Sequence, residues 1–93
     1  MIYVENMISP KGNRVLNQFI IKDKGKEYFQ SYNSLIAVKD YTKAGKVRIT
    51  LDDYYWNYSV TTSKYRNIFL DELTNDTKRK VKDGTYKLAN LNK

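Results

Sequence analysis

Apolar and polar residues alternate most strictly between Lys46 and Asp52, where Val47, Ile49 and Leu51 interleave with Lys46, Arg48, Thr50 and Asp52. A period of two sends successive side chains to opposite faces, so this segment predicts a half-buried strand. Val15 to Lys22 (VLNQFIIK) and Glu27 to Tyr32 are rich in branched and aromatic residues. They flank Asp23-Lys24-Gly25-Lys26, a tight-turn signal, and together predict a β-hairpin. Ser34 to Tyr41 (SLIAVKDY) predicts a third strand, turned into the alternating segment by Thr42-Lys43-Ala44-Gly45. Beyond Thr62 the period changes. Tyr65, Ile68, Phe69 and Leu73 recur at spacings of three and four, which predicts a helix with these residues on its apolar face and Lys64, Arg66, Asn67 and Asp71 pointing elsewhere. Ser59, Thr61, Thr62 and Ser63 can each cap it, because a short side-chain oxygen accepts from unpaired first-turn amides; the start is placed near Thr62. Asn75 to Lys82 predicts a short second helix stopped by Gly84, and Thr85 to Leu91 predicts a closing strand.

The order ββββααβ with short connections predicts an α+β fold: a single twisted antiparallel sheet of four to five strands, with one main helix and one short helix packed on one face. A small closed barrel capped by the helix is the alternative. Residues 1–93 are expected to form a single domain. Its first fourteen residues hold the sequence's only proline, in the turn-like run Ser9-Pro10-Lys11-Gly12-Asn13. They are expected to form an N-terminal arm with a short strand at Ile2 to Glu5. Tyr54, Tyr55, Trp56 and Tyr58 are too densely aromatic to alternate as a strand, and they follow Asp52-Asp53. They predict a turn folded back over the core, with Trp56 the most buried of the four. Phe69 is expected to face the inner side of Val47, Ile49 and Leu51, while Arg66 is expected to be solvated on the opposite side of its helix.

Composition removes several kinds of chemistry. The chain has no cysteine and no histidine, hence no disulfide, no thiolate nucleophile and none of the commonest bases and metal ligands. No cofactor, metal or catalytic residue is expected. No apolar run approaches the ~20 residues of a membrane span, and the N-terminus lacks the basic-then-apolar order of a signal peptide, so a cytoplasmic location is expected. Seventeen Lys and Arg against ten Asp and Glu give a net charge of +7, which attracts polyanions. Thirteen of the seventeen are lysines, so reading bases through bidentate arginine forks is not the expected mode.

The densest basic run is Lys78, Arg79, Lys80 and Lys82; with Lys64, Arg66 and Lys87 it forms a candidate docking surface for nucleic-acid phosphate, against the alternative of a solvated helix face. Tyr54, Tyr55 and Tyr58 are candidates for stacking on unpaired bases or for anchoring a protein interface. Asp52-Asp53 and Asp71-Glu72 are adjacent acids whose simplest reading is solvation or helix capping, not metal binding. Asn17, Gln18, Gln30, Ser31 and Asn33 are expected to tie the hairpin to the Thr61 to Ser63 turn, since amides facing a core need partners; an exposed polar face on the hairpin is the alternative.

The phrases GNRVLNQFII, YFQSYNSLIAV, YYWNYSVTTSKYRNIFLDE and GTYKLANLN resemble a family of small proteins of unknown function from bacteriophages and mobile elements of Gram-positive bacteria. The resemblance runs from Val4 to Asn92 and is most specific at Asn17 to Phe19, Phe29 to Tyr32 and Thr61 to Asn67. It implies an accessory protein, since short phage proteins of this kind often bind host proteins or nucleic acids; the lack of a catalytic set makes a non-enzymatic one the expectation. Some disable defences such as CRISPR nucleases. The expectation is therefore a binding protein acting on nucleic acid or a nucleoprotein, with a protein–protein inhibitor or assembly factor as the alternative.

Overall fold

The computed structural model describes residues 2–93. Six strands and two helices follow in the order β1 (Tyr3–Ile8), β2 (Arg14–Asp23), β3 (Lys26–Ser31), β4 (Ser34–Asp40), β5 (Arg48–Asp52), α1 (Val60–Leu70), α2 (Thr74–Lys82) and β6 (Lys87–Ala89). The strands form one open sheet in sequence order, not a barrel. β1 to β5 pair as antiparallel neighbours. β6 adds in parallel to β5, because the chain returns through both helices before pairing again.

The expected N-terminal arm is an integral edge strand. β1 pairs with β2 along its length, Met7 is buried, and Asn6 Nδ2 donates to the Val15 carbonyl at 2.9 Å. Met1, the first residue of the expected arm, lies outside the described residues. The β2–β3 turn is tight because Lys24 and Gly25 both adopt positive φ (50° and 80°), the geometry that matches the twist of the flanking strands.

Pairing defines the two faces of the sheet, since residues opposite one another share a side. One row reads Glu5, Ile20, Phe29, Ala37, Leu51 and Leu88; the next reads Val4, Ile21, Tyr28, Val38, Thr50 and Lys87. The helices cover the first face. Phe69 of α1 packs its ring on Phe29 at 5.8 Å, and Met7, Ile36, Ala37, Leu51, Tyr65 and Leu70 complete the core around them. An irregularity in β3–β4 pairing lets successive residues Ile36 and Ala37 both contribute to this core.

α1 begins two residues before the expected start. Ser59 Oγ accepts from the Thr62 amide at 3.1 Å, which frees Thr62 to turn inward and share a 3.0 Å hydrogen bond with Ser31 of β3. That bond ties the hairpin to the helix start through Ser31 alone; of the amides expected to share the role, Asn17 and Asn33 are exposed, Gln30 Nε2 donates to the Tyr32 carbonyl at 2.8 Å, and Gln18 is buried without reaching the turn. The buried face of α1 is Thr62, Tyr65, Arg66, Phe69 and Leu70. Phe69 is buried with Leu51, and Ile49 packs against the same core, as expected; Val47, expected on that inner side, lies before β5 and is 48% exposed. Ile68 and Leu73, expected inside, are 43% and 73% exposed, and Arg66, expected in solvent, is fully buried. The period was legible but its phase was one position off, because a guanidinium can be taken inside when carbonyls and hydroxyls surround it. Trp56 is half-buried, as is Tyr55; the deeply buried aromatics are Phe29 of β3, Tyr65 and Phe69 of α1, and Tyr86 between α2 and β6.

Candidate nucleic-acid interface

The cations of the expected phosphate site do not act as one surface. Arg66 lies beneath the turn before α1, where Nη1 donates to the Trp56 carbonyl. Its Nη2 donates to Asn67 Oδ1 at 3.0 Å and Thr74 Oγ1 at 3.3 Å. Its guanidinium carbon lies 5.5 Å from the Trp56 ring centroid. Burial lowers the Arg66 pKa and Glu72 opposes that shift, yet arginine keeps its charge in proteins. With no exposed surface, Arg66 cannot meet a phosphate, and it leaves the candidate set.

Lys80 is also engaged. Its Nζ lies 2.7 Å from Glu72 Oε1, which accepts from the Tyr86 hydroxyl as well, at 2.7 Å; Glu72 Oε2 takes the Thr77 hydroxyl. Burial would raise the Glu72 pKa, but donation by Lys80, Thr77 and Tyr86 outweighs it and holds the carboxyl below its usual range. Burial and the bond to Glu72 push the Tyr86 phenol up to about 12. Arg79 pairs with Asp76 at 3.3 Å in an exposed bridge. Lys64, Lys78 and Lys82 are exposed, and among the described residues none of them has an acidic partner within bridging distance.

The aromatic candidates do converge. Tyr54, Tyr55 and Tyr58 form a triangle with ring centroids 4.8, 5.7 and 5.4 Å apart. Tyr54 and Tyr58 are 66% and 62% exposed. Asp52 builds the turn beneath them. This acid is buried, not solvated: its carboxylate accepts from the amides of Tyr54 and Tyr55 at 3.1 and 2.8 Å, from Leu91 at 2.8 Å and from Asn92 Nδ2 at 3.0 Å. Burial raises its pKa, and these four donors overcome that and hold it low. Beside Tyr58 an open cleft is lined by Pro10, Val60, Lys64, Ile68 and Thr74, and Val60 is 89% exposed.

A second basic surface lies on the opposite face of the sheet, and of its cations only Lys87 belongs to the set expected from the sequence. A groove of about 800 Å³ runs over β4, β5 and β6. Lys26, Lys43, Lys46, Arg48 and Lys87 rim it, with Asp40 the one carboxylate among its lining residues and Val38, Thr50 and Leu91 on its floor and wall. Asp40 is itself engaged, accepting from the Thr42 hydroxyl and amide, which lowers its pKa. The five cations are scattered through the sequence and gathered by strand register: Lys26, Asp40 and Arg48 fall in one cross-strand row, and Thr50 and Lys87 in the next. The signal was the alternation of Lys46, Arg48 and Thr50 against the buried residues of β5.

Among the described residues no three His, Cys, Asp or Glu side chains come together as a metal site, and no helix is long and apolar enough to cross a membrane. An open sheet clad by helices on one face and carrying a cation-rimmed groove on the other defines a small α+β domain with a surface suited to polyanions. The chain belongs to a family of unknown function, DUF8033, whose sequence model matches residues 2–87. No curated protein and no solved structure matches it.

Proposed function

We propose that this chain is a small, non-enzymatic binding protein that acts on nucleic acid or a nucleoprotein. The observation that carries the reading is the groove on the outer face of the sheet, where five cations surround a concave surface with one engaged carboxylate. Such a surface attracts phosphate chains through counterion release and needs no base-specific fork. The exposed Lys78 and Lys82 of α2 add to the overall positive field that steers a polyanion toward the molecule. The likeness to phage and mobile-element proteins of Gram-positive bacteria supports a place in the host cytoplasm and a counter-defence role, with a defence nucleoprotein such as a CRISPR nuclease as target. Titration of labelled oligonucleotides tests the binding. Affinity is expected to fall by roughly tens- to a thousandfold between 50 and 200 mM salt for about four to six phosphate contacts. Absence of binding at 50 mM salt would overturn the direct reading.

A second reading is a protein–protein inhibitor or assembly factor. It is favoured by the exposed Tyr54 and Tyr58 beside Val60 and the cleft over α1, since tyrosines clustered next to apolar surface are common interface anchors. A pull-down from host lysate with and without nuclease separates the two. Partners retained after nuclease and lost in a folded Tyr54→Ala, Tyr58→Ala variant support this second reading.

A further inference from the structure

An antiparallel sheet with one face on a core ordinarily presents polar side chains on the other. Here the outer face departs from that rule. Val4, Ile21, Tyr28 and Val38 form an unbroken cross-strand row over β1 to β4, with Phe19 in the adjacent row on β2. No helix covers them, because α1 and α2 lie on the side of Phe29 and Leu51. Phe19, Ile21 and Tyr28 remain half-buried by their neighbours. The row continues without a gap into Thr50 and Lys87, so the apolar half of the face and the cation-rimmed groove are two ends of one surface.

We propose that this outer face takes a single-stranded nucleic acid, its phosphates in the groove rimmed by Lys26, Lys43, Lys46, Arg48 and Lys87 and its bases laid on Tyr28 and Phe19. The inference rests on the nucleic-acid reading above and specifies its ligand. A duplex presents phosphates to a protein but keeps its bases stacked inside, and so leaves an apolar, aromatic sheet face without a partner. A single strand presents both. Aromatic side chains on an open sheet, flanked by cations, are a recurrent solution for splayed bases because every base has a π-face. Neighbouring strands are about 4.8 Å apart, so the span from β2 to β5 is roughly 14 Å and suits a short run of nucleotides. Tyr28 stands directly opposite Val38, which lines the groove, so a base on Tyr28 adjoins a phosphate site.

Fluorescence anisotropy with a labelled dT oligonucleotide and a duplex of equal length, both at 50 mM salt, tests the proposal. The wild-type protein is expected to bind the single strand at least tenfold more tightly than the duplex. Tyr28→Ala is expected to weaken single-strand binding by roughly fivefold to a hundredfold, the range seen when one stacking aromatic is removed, and to leave duplex binding within twofold. Tyr28→Leu keeps the apolar packing but not the stacking ring and is expected to show the same loss, which guards against misfolding of the alanine variant. Equal binding of both ligands, unchanged in Tyr28→Leu, would overturn the single-strand inference and leave the polyanion reading standing. Absence of binding to either would overturn both. A concentration-dependent dimer in sedimentation that Tyr28→Leu disperses, with no oligonucleotide bound, would assign the face to a second copy of the chain instead.

Discussion

On the helix side of the sheet, the Arg66 Nη atoms and the Glu72 carboxylate are held by hydrogen-bond partners; on the outer side, Lys43, Lys46, Arg48 and Lys87 stand in solvent around a groove. Both regions contain charged side chains, an arginine in each, and they differ in what the fold places around them. In the first, charge serves structure: the Arg66 fork joins the turn before α1 to Thr74 at the start of α2, and the Glu72 carboxylate joins α2 to Tyr86. In the second, charge is left available. A basic residue count therefore points to a ligand only after the enclosed cations are set aside.

The largest test of the helix side is its apolar centre. Phe69→Ala removes a ring packed on Phe29 and leaves a cavity under α1, with an expected cost of about 3 to 5 kcal/mol, much of the ~5 to 10 available to so small a domain. Chemical denaturation reads it as a lower midpoint. Retention of the wild-type midpoint would mean that α1 does not seat on this face.

Arg66→Ala follows, at about 2 to 4 kcal/mol. Hydrogen bonds to a charged group contribute ~1.5 to 3 kcal/mol, and truncation also strips the Trp56 carbonyl of its donor. Arg66→Lys keeps the charge but loses the two-pronged donation to Trp56 and Thr74, so it is expected to recover only part of that loss. A cost under about 1 kcal/mol for Arg66→Ala would return this residue to the solvated class and erase the contrast between the two faces.

How far these roles were legible follows from what each depends on. The β2–β3 turn could be read because it is local, Gly25 accepting a positive φ, and the helix start was read to within two residues, with Ser59, which reaches an amide three residues on, among the four cap candidates. The parallel direction of β6 could not, since it is set by the path of two helices across the sheet. The burial of Arg66 and Asp52 was equally out of reach, because their partners, the Trp56 carbonyl and the Leu91 amide, are assigned only by tertiary structure. The groove was half legible. Its β5 contribution showed in the alternation of Lys46, Arg48 and Thr50, but Lys26 and Lys87 join it through pairing across the whole sheet.

Enclosure also fixes a pH signature. Asp52 and Glu72 both have depressed pKa values in the folded chain, so the unfolded chain binds more protons as pH falls through the carboxylate range. Their stabilisation is present above the ordinary carboxyl pKa, near 4, and is lost below it as pH passes through the folded values. Asp52→Asn is expected to lower stability by about 1 to 2 kcal/mol at pH 7 and to flatten the acid limb of the stability curve. At the other end, the Tyr86 phenol, raised to about 12, contributes stability that is present below pH ~10 and lost as pH rises toward 12. Tyr86→Phe should remove that alkaline loss. Thermal melts at several pH values check both limbs.

The smallest expected effect on stability sharpens the comparison most. Arg48 is exposed at the start of β5, has no acidic partner within bridging distance among the described residues, and lines the groove. Arg48→Ala should therefore change unfolding stability by under about 0.5 kcal/mol, in contrast to Arg66→Ala. In oligonucleotide binding the order reverses. Loss of one phosphate contact weakens binding across sequences and reduces the slope of log affinity against log salt by about 1. Lys82→Ala, an equal loss of charge on the helix side, is expected to leave that slope unchanged, because Lys82 lies outside the groove. Measuring both variants at 50, 100 and 200 mM salt separates a local contact from a general effect of net charge. Equal slopes for Arg48→Ala and Lys82→Ala would show that the protein reads polyanions through its overall field, and the outer face would lose its claim to be the site.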